Sequence, residues 1–219
     1  MALRSRWFRP GHTGWNAGAY EWYFTRTRVG AALRGRDERL IHGALDEVLE
    51  PGHTVLEVGA GTGNYTVPVA RRCARVLALE SSDAMGERLR ERLDREDVQN
   101  VETGTGRLPD DLEVHERFAG TLCLGVLNYV AELELAVQEL ARTVKPGGWL
   151  IYTVAPTSAE ARVHLVTDAL QRRRVRLHSP ERAASAALRA GLELQTLATT
   201  GLTRGGITTL VRASVPLQP

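Results

Sequence analysis

The chain has 219 residues, 43% of them hydrophobic and 25% charged, which is the composition of a globular protein with one well-buried core. A net charge of +2 is too small to predict nucleic-acid binding, and no apolar run approaches the length of a membrane span. Cys73 and Cys123 fit neither a disulfide framework nor a metal pair. We therefore expect a soluble cytoplasmic protein without a nucleic-acid, membrane or metal partner.

The first fifty residues are predicted to be helical. One helix is predicted at about 20–33, and a second is predicted to begin at Asp37 and to end at Pro51-Gly52. Asp37 is a favourable N-cap residue, and the apolar positions after it recur at spacings of one, three and four. We divide the chain into an N-terminal helical cap or lid at residues 1–50 and a core at residues 51–219, within one domain overall.

Strands and helices alternate beyond residue 54. The predicted strands are 55–58, 75–79, 98–103, 118–124 and 149–154, and the predicted helices are 64–72, 82–95, 133–144, 159–173 and 179–190. Short apolar strands that alternate with helices predict a parallel sheet covered on both faces. Two later runs, 192–200 and 207–215, flank a glycine-rich turn and predict an antiparallel hairpin added to that sheet.

The run VLEVGAGTG at 55–63 is the most informative stretch of the chain. A short apolar strand carries one carboxylate and then delivers three glycines at alternate positions. Glycine has no Cβ and tolerates positive φ, so a ligand can lie against bare backbone at such a turn. N–H groups at the start of the following helix also point toward that ligand. This junction predicts a site for a nucleotide-like cofactor.

The glycine spacing distinguishes two classes of cofactor. It is G-x-G-x-G here, whereas dinucleotide-binding proteins carry G-x-G-x-x-G, and Asn64 stands where the last glycine of that motif belongs. Glu57 lies within the strand, and a carboxylate suits a ligand with an ammonium group better than a diphosphate, because like charges repel. An NAD-dependent oxidoreductase is therefore the less favoured alternative.

Four motifs in this order resemble the class I S-adenosylmethionine-dependent methyltransferases of the small-molecule type. They are VLEVGAGTG at 55–63, the acid Glu80 after the second strand, LGVLNYV at 124–130 and ELARTVKPGG at 139–148. The resemblance covers residues 50–156. It implies an α/β fold with a Rossmann-like, seven-stranded, mostly parallel sheet, an antiparallel last strand and helices on both faces.

The resemblance also implies S-adenosyl-L-methionine as the cofactor. Glu57 would hold its ammonium group through water or backbone, and Glu80 would accept hydrogen bonds from both ribose hydroxyls, which one carboxylate can do. The alternative for Glu80 is a carboxylate that caps the next helix. The full set of implied cofactor contacts is Glu57, Gly59, Ala60, Gly61, Gly63, Glu80, Ser81, Met85, Gly106, Arg107, Leu124 and Gly125.

The chain departs from the family pattern at two points. The family carries an acid after its third strand that bonds the adenine amino group, but here residues 103–109 read TGTGRLP, with no carboxylate before Asp110. Backbone groups of residues 104–107 would have to substitute. The usual Phe-Asp opening of the fourth strand is Phe118-Ala119 here. These departures leave open a protein that binds the cofactor but catalyses a non-transfer reaction such as cyclisation.

Catalytic residues are only weakly defined by this sequence, because methyl transfer depends mainly on alignment. The candidates are Tyr20 in an aromatic-rich segment, Tyr129 after the fourth strand and His115 after the third-strand loop. Core packing is the alternative for the aromatic cluster around Tyr20. The short insert before Ser179 favours a small-molecule acceptor, and the family resemblance together with the lack of a nucleic-acid signature suggests specialised metabolism. We expect a monomer or a homodimer.

Overall fold

The computed structural model describes residues 28–110, 112, 114–164, 175–203 and 205–217. In this part of the chain the strands are β1 (Thr54–Val58), β2 (Arg75–Leu79), β3 (Val101–Gly104), β4 (Phe118–Cys123), β5 (Val144–Val154), β6 (Glu193–Thr200) and β7 (Thr208–Ser214). The α-helices are α1 (Arg28–Asp46), α2 (Thr66–Ala70), α3 (Asp83–Arg95), α4 (Leu133–Arg142), α5 (Ala159–His164) and α6 (Pro180–Arg189). A short 3₁₀ helix, Leu127–Tyr129, follows β4.

The strands form one seven-stranded sheet in the order β3-β2-β1-β4-β5-β7-β6. Neighbours among β1 to β5 pair in parallel, and β7 runs antiparallel to both β5 and β6. The predicted fold class is therefore confirmed, including the terminal hairpin and the antiparallel last strand. Because β1 to β4 are parallel, their carboxyl ends meet at one edge of the sheet, where open α/β sheets bind their ligands.

Two apolar layers cover the sheet. On one face α4 and α6 bury Leu133 and Ala183 against Leu56 and Tyr152. On the other face α1, α2 and α3 pack against a cluster that includes Trp149. Alternate residues of each central strand point into the two layers, which explains why these strands are apolar throughout.

Helix α1 differs from the prediction. Asp37 does not cap a second helix but lies inside one continuous helix, Arg28–Asp46. Its carboxylate instead accepts a hydrogen bond from Thr208 Oγ at 2.8 Å, 171 residues away. A tertiary contact has thus overridden a local capping signal. The division of the chain at residue 50 remains a prediction.

Other element boundaries shift by a few residues. Strand β3 begins at Val101 rather than at residue 98, because the Val98 N–H donates to the Leu93 carbonyl and closes the end of α3. Strand β5 begins earlier than predicted, at Val144, with a register shift against β4. The start of α6 is as predicted: Ser179 Oγ accepts from Arg182 N–H at 3.2 Å, and Pro180 occupies the first turn.

Candidate active site

The glycine turn after β1 has the backbone that its sequence predicts. Gly59, Gly61 and Gly63 have φ of 80°, 58° and 84°, a region that L-residues with a side chain seldom adopt. The N–H groups of Gly59 and Ala60 both donate to the Leu79 carbonyl, at 2.7 and 3.0 Å. The turn is therefore fixed to the end of β2 as well as to β1.

The three glycines serve different purposes. A Cβ on Gly59 would lie 2.1 Å from Val126 Cγ2, and a Cβ on Gly63 would lie 2.7 Å from Leu89 Cδ1, so both positions are required by packing. A Cβ on Gly61 would meet nothing within 4 Å. Gly61 thus faces open space, and a ligand can approach its backbone.

A second open glycine follows β4. Gly125 has φ of 71°, and a Cβ there would also meet nothing within 4 Å. Its N–H donates to Thr153 Oγ at 2.8 Å, which anchors this turn to β5. The carboxyl ends of β1 and β4 are neighbours in the sheet. Together Gly61 and Gly125 provide two bare, well-anchored backbone segments at the same edge of the sheet.

Glu80 connects the glycine turn to α3. Its Oε2 accepts from Gly61 N–H and its Oε1 accepts from Ser82 N–H, both at 2.8 Å. Ser82 in turn caps α3 by accepting from Met85 N–H at 3.5 Å. Each carboxylate oxygen accepts one hydrogen bond from the protein and keeps a further lone pair. The carboxylate is thus held in place while it can still accept from two hydroxyls of a ligand.

Glu57 is a buried carboxyl beneath the same turn. Its side chain is 3% exposed, and Oε2 has no hydrogen-bond partner. Burial raises the pKa of Glu57 from 4.5 to about 7; the nearby Thr66 hydroxyl opposes this shift, and the charge of Glu80 adds to it. A cation bound near this group would favour its ionised form. An unpartnered acid at this position fits a ligand that carries an ammonium group.

The remaining predicted cofactor residues lie in the segments that follow β2, β3 and β4, with Met85 in the first turn of α3. Met85 and Gly106 are buried, Ser81 and Leu124 are half-buried, and Arg107 is exposed. After β3 no described carboxylate precedes the exposed Asp110, as the sequence indicated. The structure thus places the twelve predicted residues around one edge of the sheet; their contacts with a cofactor remain a prediction.

The three catalytic candidates have different outcomes. Tyr20 lies outside the described residues. His115 is exposed and precedes β4. The adjacent Glu116 bonds Arg75 at the start of β2, so His115 belongs to the opposite end of the sheet. His115 was predicted because it follows the loop after β3. In the structure it directly precedes β4, and it therefore lies at the amino ends of the parallel strands. Tyr129 is half-buried in the 3₁₀ helix after β4, at the correct edge, and remains a candidate.

Two polar side chains at this edge are not among the predicted site residues. Asn128 Oδ1 accepts from Ala155 N–H at 2.6 Å, and its carbonyl accepts from Arg176 N–H at 2.7 Å. Asn128 therefore ties the end of β4 to the end of β5 and to the segment before α6. His178 is buried there with neither ring nitrogen hydrogen-bonded, and burial lowers its pKa.

No helix in the described ranges is both long and apolar enough to cross a bilayer. Nor do three or more His, Cys, Asp or Glu side chains come together as a metal site within those ranges.

Comparisons with known proteins agree with this geometry. Residues 55–148 match the sequence model of a family described as a methyltransferase domain. An 86-residue stretch is 36% identical to a 23S rRNA (uracil(1939)-C(5))-methyltransferase from Alcanivorax borkumensis, covering 39% of this chain and 19% of that protein. A 111-residue stretch is 32% identical to a protein-L-isoaspartate O-methyltransferase from a Bradyrhizobium species, covering 49% of this chain and 47% of that protein. The chain thus spans a fifth to a half of these relatives.

Solved structures share the fold over most of the chain. Magnesium protoporphyrin IX methyltransferase from Synechocystis, solved with bound SAH, superposes with a TM-score of 0.72 at 19% identity, covering 91% of this chain and 95% of that one. The [4+2]-cyclase SpnF superposes with a TM-score of 0.68 at 17% identity, covering 83% and 81%. Identities this low establish the fold and leave the reaction to be argued from the site.

Proposed function

Since residues 55–148 belong to the class I S-adenosylmethionine-dependent methyltransferases, we propose that this chain binds S-adenosylmethionine and transfers its methyl group to a small molecule. The observation that carries this proposal is the pairing of Gly61 with Glu80. The Gly61 nitrogen in the open turn lies 2.8 Å from Oε2 of the fixed Glu80 carboxylate. Both lie at the edge where open α/β sheets bind their ligands. Packing does not require a glycine at position 61, and the Glu80 carboxylate keeps lone pairs beyond its two backbone hydrogen bonds.

The residues of the site fit the separate parts of the cofactor. The bare backbone at Gly61 and Gly125 would let the methionine part lie against the sheet edge. Glu80 would accept hydrogen bonds from the ribose hydroxyls with its remaining lone pairs. Glu57, beneath the turn, would balance the ammonium charge. None of these groups needs to move, because each is already held by the sheet or by backbone hydrogen bonds.

The protein's contribution to methyl transfer is alignment. S-adenosylmethionine supplies an electrophilic methyl group when bound, and the chain needs to hold the acceptor in line with it. The loop after β4 is braced for this purpose by Asn128, which fixes it to β5 and to the segment before α6. Tyr129, on the same loop, is our candidate for contact with the acceptor.

A small acceptor is favoured over a macromolecule on two grounds. Only 25 residues separate the end of β5 from the start of α6, which leaves room for a compact pocket rather than a large docking surface. The net charge of +2 also provides little attraction for a nucleic acid. Specialised metabolism is the setting that we propose. The names of the relatives include RNA and protein as substrates, so both are included as acceptors in the transfer test below.

Binding is tested by calorimetry with S-adenosylmethionine and, separately, with NADH. We expect S-adenosylmethionine to bind and NADH not to bind. Glu80→Ala should weaken binding by about 1.5–3 kcal/mol, the usual value of hydrogen bonds to a charged group. Glu91→Ala, an exposed acid on α3, is the matched control and should bind like the wild type. Equal affinity of the wild type and Glu80→Ala would exclude the ribose role.

Transfer is tested with methyl-labelled S-adenosylmethionine and three acceptor pools: a panel of phenols, amines and thiols, total RNA, and unfolded protein. Label in the low-molecular-weight panel supports the proposal. Label in RNA or in protein contradicts it.

A second candidate is a protein that binds the cofactor without transferring its methyl group. The absence of a described carboxylate between β3 and Asp110 favours it, since an adenine contact of the family is missing. Tight binding of S-adenosylmethionine with no demethylated product from any pool would support this candidate over transfer.

A further inference from the structure

A buried histidine lies where three segments meet at the carboxyl edge of the sheet. His178 is 2% exposed, and its backbone N–H donates to the Ala155 carbonyl, just beyond β5, at 2.9 Å. Two positions earlier, the Arg176 N–H donates to the Asn128 carbonyl at 2.7 Å. The Asn128 side chain also accepts from the Ala155 N–H at 2.6 Å. We call these three hydrogen bonds the β4–β5 clamp, because together with the segment 176–178 they fix the loop after β4 to the end of β5.

The imidazole ring of His178 has no hydrogen-bond partner. Nδ1 and Nε2 are both buried, and neither forms a hydrogen bond. A neutral imidazole has one N–H donor and one acceptor nitrogen, so two polar groups here are unpaired. Buried polar groups are normally paired, because an unpaired one costs free energy. An apolar side chain would fill this position without that cost, so packing alone does not explain a histidine.

Burial and nearby charges oppose protonation of the ring. Burial is the largest cause that lowers the pKa of His178 from 6.5, and the charges of Arg182 and Arg176 lower it further. The Leu127 carbonyl and Glu134 on α4 act in the opposite direction. Glu134 is already engaged, because its two carboxylate oxygens accept from Arg182 at 3.0 Å each. The closed clamp therefore favours the neutral ring.

We propose that His178 is a pH-sensitive switch that keeps the β4–β5 clamp closed when its ring is neutral and opens the clamp when the ring is protonated. A buried cation without a partner is costly, so protonation favours a conformation in which water reaches the ring. The clamp holds the segment that carries the ring, and this segment has to leave Asn128 and Ala155 before the cation can be hydrated. The loop after β4 then loses its connection to β5, and Tyr129 on that loop loses its fixed position.

The direction of the pH dependence follows from the two conformations. In the open conformation the ring is hydrated and should titrate at its ordinary pKa of 6.5, whereas in the closed one its pKa is lower. Opening therefore takes up a proton from solvent. The clamp should be fully stable above about pH 6.5 and should weaken as the pH falls below that value.

Amide hydrogen exchange of the full chain tests the clamp without any ligand. We expect the protection factors of the Arg176 and His178 amides to fall about tenfold or more between neutral pH and about pH 5, after correction for the intrinsic effect of pH on exchange. The Phe118 N–H, which donates to the Thr143 carbonyl at the other end of the sheet, is the reference and should keep its protection. An NMR titration of the His178 ring should give a pKa below 6.5. Unchanged protection of the Arg176 and His178 amides at acid pH would overturn the proposal.

A pair of variants shows whether the ring itself is the cause. His178→Phe keeps an aromatic ring but cannot take up a proton, so its Arg176 amide should be equally protected at both pH values. His115→Phe makes the same change at an exposed histidine and should lose protection at acid pH like the wild type. An acid loss that persists in His178→Phe would assign the switch to another group and overturn the proposal. If circular dichroism shows that His178→Phe does not fold, the exchange and the ring titration of the wild type decide the question.

The consequence for activity rests on the proposed function. Methyl transfer by the wild type should fall between neutral pH and about pH 5, whereas His178→Phe should keep its neutral rate. An equal acid loss of transfer in the wild type and in His178→Phe would overturn the connection between the clamp and Tyr129. Absence of transfer at every pH would count against the proposed function alone, because the exchange measurement needs neither cofactor nor acceptor.

Discussion

The two ends of the sheet are built from contacts of different range. At the cofactor end, from β1 to α3, Gly61 and Glu80 are 19 residues apart and Glu80 and Ser82 are two apart. At the hairpin end, the contacts of α1 with Gly201 and Thr208 join residues 165 and 171 positions apart. The first region is thus organised by neighbouring turns, and the second by packing of distant elements. The loop after β4 also depends on distant contacts, since Gly125 and Asn128 form hydrogen bonds with residues 28 and 27 positions away.

Each region contains a buried carboxyl with a raised pKa, but the two differ in what surrounds them. Glu57 lies beneath the glycine turn with Oε2 unpartnered, and Asp37 lies where α1 meets the hairpin with Oδ1 unpartnered. A bound cation would offset the buried charge of Glu57, whereas protonation removes the buried charge of Asp37. The comparison predicts that replacing Glu57 changes cofactor binding and that replacing Asp37 changes stability.

The largest effect is expected for Gly59→Ala. The new Cβ would lie 2.1 Å from Val126, a side chain that is stiff at χ1, and the backbone φ is 80°. We expect a loss of about 2–4 kcal/mol in the free energy of unfolding, measured by chemical denaturation. Gly61→Ala, which meets no neighbour, should lose only about 1 kcal/mol from its φ but should weaken S-adenosylmethionine binding. Equal destabilisation by the two variants would contradict the distinction between packed and open glycines.

The next largest effect concerns Asp37. Burial raises the pKa of Asp37 from 3.8 to about 6, with Glu38 and Glu160 adding to it and the Thr208 hydrogen bond opposing it. The folded protein therefore holds this proton more tightly than the unfolded chain, so the stability from Asp37 is present at low pH and is lost as pH rises to about 6. Asp37→Asn should stabilise the protein by about 1–3 kcal/mol at neutral pH and have little effect at acid pH.

Thermal unfolding at several pH values measures this difference. Asp94→Asn, an exposed acid on α3, is the control and should not change the profile. A gain for Asp37→Asn that is the same at every pH would show that the carboxylate charge is not the cause.

The cofactor end was more predictable from sequence than the hairpin end. The positive φ of the glycine turn and the placement of Glu80 follow from glycine spacing and from an acid at a strand end. Asp37 shows the limit of this reasoning, because its capping propensity is local, whereas its partner Thr208 is 171 residues away. Local patterns contain no information about such a partner.

The candidate site shows the same limit. His115 follows a loop in sequence, yet it lies at the wrong end of the sheet because that segment crosses from β3 to the start of β4. Asn128 lies within the motif LGVLNYV, but its hydrogen bonds to Ala155 and Arg176 depend on how three loops meet. The backbone geometry of a motif was predictable from the sequence, whereas contacts between a motif and distant loops were not.

A smaller effect is expected for protonation at Glu57, and it rests on the proposed cofactor. Its pKa of about 7 leaves it partly protonated at neutral pH, so binding of an ammonium group should release a fraction of a proton. Calorimetry in two buffers of different ionisation enthalpy measures that fraction. Glu57→Gln should abolish the release and weaken binding about tenfold or less. A proton release that persists in Glu57→Gln would assign it to another group.

The smallest effects come from the two serine caps, and they compare the regions directly. Ser82 begins α3 beside Glu80, and Ser179 begins α6 far from the glycine turn. Replacing either by alanine removes a hydrogen bond to an end of a helix and should cost about 1 kcal/mol of stability. Only Ser82→Ala should also weaken S-adenosylmethionine binding, because losing the cap loosens the start of α3 and with it the Ser82 backbone N–H that holds the Glu80 carboxylate. If both variants bound the cofactor equally well, the Ser82 N–H would keep its position without the cap.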